Sequence, residues 1–285
     1  MEKIDLRKIK AIAFDLDGTL LTSSQKITVE STKLIKALKE MQINILFVTG
    51  RMSSAVESYA NENCIEYIIT QNGATLESIY NKSYLQTSKL NQEVVNYFDN
   101  ELVPDSKDVA INFNSINDVS TKKITWLSCS YMEELDIKIH KHKKAPDNIV
   151  SIVCLGEKNS LSKVEKNVQG LFGNSLEYKY VSWYKGYWML QFLNSGTDKY
   201  TMFKTFCELE NIDLNDTLCF GDNYNDLELV ESCGIGVAME NACSELKDKA
   251  DFVTPGTNDK NGILQFFIEN TNYEMIERKN YETTN

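Results

Sequence analysis

The chain has 285 residues and a formal net charge of -11, enough length to bury one large core or two ordinary ones. Its 42% apolar and 25% charged residues are those of a water-soluble globular protein, and its acidity disfavours nucleic acid and acidic membranes as partners. Seven cysteines with no CxxC pair and no zinc-ligand spacing exclude a zinc module and a dense disulfide framework.

The N-terminus, MEKIDLRKIK, has no apolar signal core, and no apolar run is long enough to span a bilayer. A reducing, cytoplasmic setting is expected. His140 and His142, the two histidines, both lie in the lysine-rich stretch KIHKHKK, which reads as a solvated helix face. No cysteine is followed six residues later by arginine, and neither GxSxG nor a Walker-type GK[ST] occurs. Gly234 and Gly236 in GIGVAM lack the third glycine of a dinucleotide fingerprint.

In chain order, the apolar run Ala11 to Phe14 predicts a short buried strand. It ends in Asp15 and Asp17, followed by Gly18 and Thr19. Residues two apart in an extended chain point the same way, so both carboxylates are expected to project from one side of the strand end. Thr28 to Met41 predicts an amphipathic helix with Leu34, Ile35, Leu38 and Met41 on one face. Ile43 to Val48 predicts a second strand, ending in Thr49, Gly50 and Arg51, with Ser53 or Ser54 capping a helix to about Asn61. Tyr67 to Thr70 predicts a third strand before the turn Gln71-Asn72-Gly73. This alternation is that of βαβ units and predicts a parallel sheet covered by helices.

From about Thr75 to Tyr187 the rhythm changes to that of an α+β unit with an antiparallel sheet. KKITWLSCSY and NIVSIVCLG predict strands, and Glu133 to Lys143 and Leu161 to Phe172 predict helices. Tyr187 to Leu193 predicts a strand returning to the first domain. Lys199 opens a helix to about Asn211, and Thr217 to Phe220 predicts a strand ending in Gly221-Asp222-Asn223-Tyr224-Asn225-Asp226. The strand GIGVAM, a helix from Asn241 to Lys249, a strand Asp251 to Thr254 and a helix Gly262 to Glu269 follow, then a polar tail.

Four pieces therefore fall at strand ends or helix starts: Asp15 with Asp17, Thr49 with Gly50, Lys199, and Asp222 with Asn225 and Asp226. The acidic pieces suit a hard divalent cation such as magnesium. The hydroxyl, the backbone N–H at a helix start and the ammonium suit phosphate oxygens.

DLDGTL, VTGR, Lys199 and GDNYND, in that order, resemble the four motifs of the haloacid dehalogenase superfamily. QNGA at 71–74 and VTPGTNDKNGI at 253–263 resemble its Cof-type subgroup, whose cap is of class IIB. The resemblance implies a doubly wound, Rossmann-like α/β core over 1–80 and 188–285, with an α+β cap inserted over 81–187 that sets substrate specificity. It implies a phosphatase that hydrolyses small phosphorylated metabolites, sugar phosphates above all, through an aspartyl phosphate, with Mg2+ as cofactor. Asp15 is then the nucleophile and Asp17 the general acid and base. Magnesium is held by Asp15, Asp222 and the backbone carbonyl of Asp17, with Asn223 and Asp226 orienting that shell. Thr49, Gly50, Lys199 and Asn225 bind the phosphoryl group. The expected partner is a small phosphorylated molecule, with no nucleic acid and no membrane. A phosphomutase using the same aspartate and a non-catalytic phospholigand-binding module are the alternatives.

One departure from the subgroup is Tyr200, where the motif lysine is usually followed by glycine. It is expected to alter the helix start or crowd the phosphate pocket, with Lys185 the nearest substitute lysine. Trp183, Tyr184, Tyr187 and Trp188 are candidates either for stacking on a base or sugar or for core packing.

Overall fold

The structure is a computed structural model and describes residues 3–102, 108–135, 137–138, 140–183 and 186–273. Tyr184 and Lys185 and most of the polar tail lie outside the described residues. The strands are β1 (Ala11–Phe14), β2 (Asn44–Val48), β3 (Tyr67–Thr70), β4 (Thr75–Ser78), β5 (Ser83–Thr87), β6 (Val109–Asn114), β7 (Val119–Ser120), β8 (Ser151–Gly156), β9 (Leu176–Ser182), β10 (Trp188–Asn194), β11 (Thr217–Gly221), β12 (Ile235–Ala238) and β13 (Phe252–Val253). The helices are α1 (Val29–Glu40), α2 (Glu57–Glu62), α3 (Gln92–Tyr97), α4 (Trp126–Glu134), α5 (Lys158–Phe172), α6 (Lys199–Leu209), α7 (Leu227–Ser232), α8 (Ser244–Lys249) and α9 (Gly262–Asn270).

The chain divides into two compact units. One comprises Met1–Gly50, Glu57–Ser83 and Asp198–Asn285; the other comprises Arg51–Val56 and Tyr84–Thr197. In the first, the strands run in the order β13-β12-β11-β1-β2-β3-β4. All neighbours pair in parallel except β3 and β4, which are antiparallel. Every residue of β1 is buried because both faces of the sheet are covered. Ala11 and Ala13 meet Met202, Phe203 and Phe206 of α6. On the other face Phe14 stacks on Phe220 at 5.1 Å, and Phe220 meets Phe266 and Phe267 of α9 at 5.4 and 5.8 Å. Helices on both faces of a parallel sheet make the unit a doubly wound α/β fold. Phe14 lies level with Phe220 and with Phe47, so the carboxyl ends of β1, β11 and β2 sit side by side.

The second unit is built on an antiparallel sheet of order β7-β6-β8-β10-β9. Val109, Ile111 and Phe113 of β6 pack on one face with residues of α3 and α5. Ala110, Val153, Leu155 and Met189 pack on the other with Leu127, Tyr131 and Met132 of α4.

Three local expectations fail in this unit. The segment KKITWLSCSY contributes a helix rather than a strand. Thr125 caps it by accepting from Ser128 N, and Leu127 and Tyr131, four residues apart, bury one face. Capping and the 3.6-residue stripe override the β-prone aromatic composition. The helix expected over Glu133 to Lys143 stops at Glu134. Beyond it the chain runs beside β7, with Thr121 N donating to His140 O and His142 N donating to Thr121 O. The stretch KIHKHKK is therefore no solvated helix face. His142 is buried edge-on to Phe113 at 5.0 Å, and its ring nitrogens lie 2.8 Å from Ser120 Oγ and 3.1 Å from Asp99 Oδ1. Finally, β10, expected to return to the first domain, pairs antiparallel with β8 and β9. It is apolar on both faces because Leu190 and Phe192 enter one cluster and Met189 the other. Trp183 and Tyr187 join the second cluster and Trp188 the first, where the Lys158 ammonium sits 4.1 Å from the Trp188 ring.

Candidate active site

β1 delivers Asp15 to the edge of the first unit's sheet, where its N–H donates to Phe220 O at 3.0 Å. The chain then turns instead of continuing extended. Leu20 N donates to Asp15 O and Leu21 N to Leu16 O. Gly18 makes the turn with φ +78°, and a Cβ there would lie 2.3 Å from Asp222 Oδ2. Asp15 is 4% exposed, whereas Asp17 is on the exposed side of the turn. Thr19 comes back under it and donates to Asp222 Oδ1 at 3.3 Å.

Lys199 enters at the first position of α6, whose N-cap Asp198 accepts from Thr201 N at 2.7 Å. The lysine is 1% exposed and donates to Asp15 Oδ1 and Asp226 Oδ1, each at 2.6 Å. Tyr200 does not disturb this start: it is half-buried against the apolar cluster of Ala13, Met202 and Phe203. After β11, Asp226 accepts from the backbone N–H groups of Asp222 and Asn223 at 3.0 and 3.1 Å through its second oxygen. Together with the Asn223 side chain this forms a capping box that shapes the GDNYND loop. Thr49, at the end of β2, donates its N–H to Ile69 O and accepts from Asn72 N. Asn225 Nδ2 donates to Asn72 Oδ1 at 2.9 Å.

Carboxylate oxygens of Asp15, Asp222 and Asp226 lie within 4.8 Å of one another. Burial raises the Asp15 carboxyl well above the ordinary range; the Lys199 charge opposes this, and Asp226 and Asp222 add to it. Burial and the Asp226 charge push Asp222 up to about 7. Burial works against the Lys199 ammonium, but Asp15 and Asp226 outweigh it and hold its pKa above the usual lysine value. Three carboxyl groups thus face the Lys199 ammonium in a largely buried site. An all-oxygen donor set of this kind, whose mutual repulsion and burial a cation would relieve, fits a hard divalent ion such as magnesium.

A family model described as haloacid dehalogenase-like hydrolase matches residues 12–267. The chain belongs to that family. Among curated relatives, YxeH of Bacillus subtilis is 27% identical over 263 residues, covering 88% of this chain and 94% of that one. The 5-amino-6-(5-phospho-D-ribitylamino)uracil phosphatase YwtE of the same organism is 26% identical over 286 residues, covering 90% and 96%. A solved subclass IIB sugar phosphatase shares the fold, with a TM-score of 0.75 at 22% identity over 91% of this chain and 98% of that one. Among the described residues of this haloacid dehalogenase-like hydrolase, no helix is long and apolar enough to cross a membrane.

Two sets of residues gain a physical role here that sequence spacing did not give them. Asn72 holds a left-handed backbone (φ 56°) beneath the Thr49-Gly50 turn and joins it to Asn225. A Cβ on the neighbouring Gly73 (φ +95°) would lie 2.0 Å from Asp198 O, so the QNG turn abuts the start of the Lys199 helix. The loop after β13 braces the loop that follows Asp15. Asn258 Nδ2 donates to Leu21 O at 2.9 Å, and Asp259 accepts from Ser23 N and Oγ at 2.8 and 2.6 Å. The QNGA and VTPGTNDKNGI segments carried this signal only as family patterns.

Proposed function

We propose that the protein is a magnesium-dependent phosphomonoester hydrolase acting on small phosphorylated metabolites, sugar phosphates foremost, through an aspartyl phosphate on Asp15. The observation that carries this reading is the convergence of Asp15, Asp222, Asp226 and Lys199 on one buried point at the carboxyl ends of β1 and β11. The family's hydrolase chemistry and the phosphate-ester substrate in the name of YwtE support it.

Asp15 and Asp222, with the backbone carbonyl of Asp17, hold the cation. When bound, it supplies positive charge to the phosphoryl oxygens. Asp226 is better suited to orienting the shell, because one of its oxygens accepts from Lys199 and the other from two backbone N–H groups. Lys199 holds Asp15 through Oδ1, aims it, and opposes the effect of burial on that carboxylate. Asp15 attacks phosphorus and the bond to the leaving oxygen breaks. Asp17 gives that oxygen its proton, then takes one from the water that cleaves the acyl phosphate. Thr49, the Gly50 N–H, Lys199 and Asn225 hold the transferring group, where charge stabilisation does most of the catalysis. The second unit is the cap that selects the leaving group.

The test is phosphate release from an aryl phosphate and a sugar-phosphate panel, with magnesium and with chelator. Release that requires magnesium and ranks the sugar phosphates highest is the expected result. No release from any substrate by folded, magnesium-loaded protein would overturn the reading.

A further inference from the structure

The outer strand of a sheet offers a row of N–H and C=O groups to any chain that can pair with it, and natural proteins keep such edges short, bulged, charged or covered. The second unit's sheet treats its two edges differently. β7 is two residues long, whereas β9 runs seven residues, Leu176–Ser182, in unbroken register with β10. β9 holds no proline and no residue in the left-handed region. Among the described residues no strand lies beyond it. Tyr178 and Val181 are 37% and 42% exposed, so the edge is open.

The direction of its main-chain groups is fixed. Trp183 N donates to Tyr187 O at 2.9 Å and Ser195 N to Ser175 O at 3.0 Å, both in the register that sets Val181 opposite Met189. Hydrogen-bonded pairs alternate with non-bonded pairs along an antiparallel ladder, so the odd-numbered residues of β9 bond to β10. Leu176, Tyr178 and Tyr180 therefore turn their N–H and C=O groups outward. Their side chains share the α5 face: Leu176 and Tyr180 join the apolar cluster there, and Tyr180 donates its hydroxyl to Glu165 at 2.8 Å. Glu177 and Lys179 lie on the opposite face.

We propose that β9 is an interface between two copies of this chain, each β9 pairing antiparallel with the other about a two-fold axis through Tyr178. Outward groups must meet outward groups, which allows only registers centred on a residue. Charge chooses among these. Centring on Glu177 sets two glutamates face to face, and centring on Lys179 sets two lysines. Centring on Tyr180 leaves both charges opposite apolar residues, Val181 and Trp183. Centring on Tyr178 sets Glu177 opposite Lys179 of the partner subunit, twice by the symmetry. Tyr178 then exchanges two main-chain hydrogen bonds with its copy, and Leu176 two with Tyr180 of the partner subunit, on each side of the axis. A lysine alone on this edge guards it against a second copy. A glutamate two residues away makes the pattern self-complementary. The proposal does not depend on the hydrolase mechanism, because association is read without turnover.

The experiment is sedimentation equilibrium of the full chain from roughly 1 to 500 µM. About 0.15 M salt screens the long-range repulsion between two copies that each carry a net charge of -11. A reversible monomer–dimer equilibrium is expected, since a contact the size of one strand pair is a transient one. Glu177→Lys and Lys179→Glu, each keeping the parent's far-UV spectrum and melting temperature, should each weaken self-association by about a hundred-fold or more. Mixed in equal amounts, these two variants place opposite charges at both contacts and should form a heterodimer within about ten-fold of the parent's affinity. Tyr178→Pro removes an outward N–H while sparing the ladder to β10, and should give a monomer. A parent that stays monomeric throughout this range would overturn the proposal. Undiminished dimerisation in both charge variants would overturn the interface, and failure of the folded mixture to associate would overturn the register about Tyr178.

Discussion

Replacing Lys199 by methionine tests the electrostatic reading of the site most directly. The side chain is 1% exposed and holds two carboxylates at 2.6 Å each, so methionine preserves volume while removing that ammonium from the cluster. Removing one partner of a buried ion pair costs about 3–5 kcal/mol, because the remaining charge stays desolvated. Here the lower end applies. Asp222 already sits at about 7 and Asp15 is raised by burial, so near neutral pH one of them takes up a proton at small cost. A loss of about 3 kcal/mol corresponds to a fall of roughly 6–12 °C in the melting temperature of a unit of this size. The assay is thermal unfolding in chelator. With magnesium the gap narrows, since a cation beside Asp15 and Asp222 is bound more tightly once the competing ammonium is gone. Phosphate release nevertheless drops by about a hundred-fold or more, because the donor to the transferring group is lost. A variant as stable as the parent in chelator, or one with weakened magnesium affinity, would refute the charge-balance argument.

Further outcomes follow from the same geometry. Asp15→Asn should lower phosphate release by on the order of a thousand-fold or more while leaving the circular dichroism spectrum unchanged; near-native turnover would remove Asp15 as nucleophile. Gly73→Ala sets a Cβ 2.0 Å from Asp198 O at φ +95°, and should cost about 2–4 kcal/mol in urea unfolding. Asn72→Ala leaves Asn225 without its 2.9 Å partner and loosens the Thr49-Gly50 turn. It should lower phosphate release by about ten-fold with a smaller effect on stability, and an unchanged rate would confine Asn72 to packing.

What the sequence by itself determined is the first unit's parallel architecture and the candidate positions. The run Ala11–Phe14, unbroken by polar residues, reads as a strand buried on both faces, and it is one because Ala13 and Phe14 serve opposite layers. Thr28 and the stripe Leu34, Ile35 and Leu38 likewise mark α1 by local rules, a side-chain cap and a 3.6-residue period. Local rules were weakest in the second unit. There the aromatic, β-branched composition of Ile124 to Tyr131 competes with a Thr125 cap, and only packing of Leu127 and Tyr131 on the sheet decides for a helix.

The tertiary structure alone decided which of the acids meet. Asp15, Lys199 and Asp226 are brought together by strand order β11-β1-β2 and by the start of α6, not by proximity in the chain. Asp17, two residues from Asp15, is exposed where Asp15 is buried, because hydrogen bonding from Leu20 and Leu21 ends the extended conformation there. Spacing along a chain fixes side-chain direction only while the backbone conformation persists. Where a strand ends, long-range pairing takes over, and it is that pairing which assembles the acidic cluster from residues about two hundred positions apart.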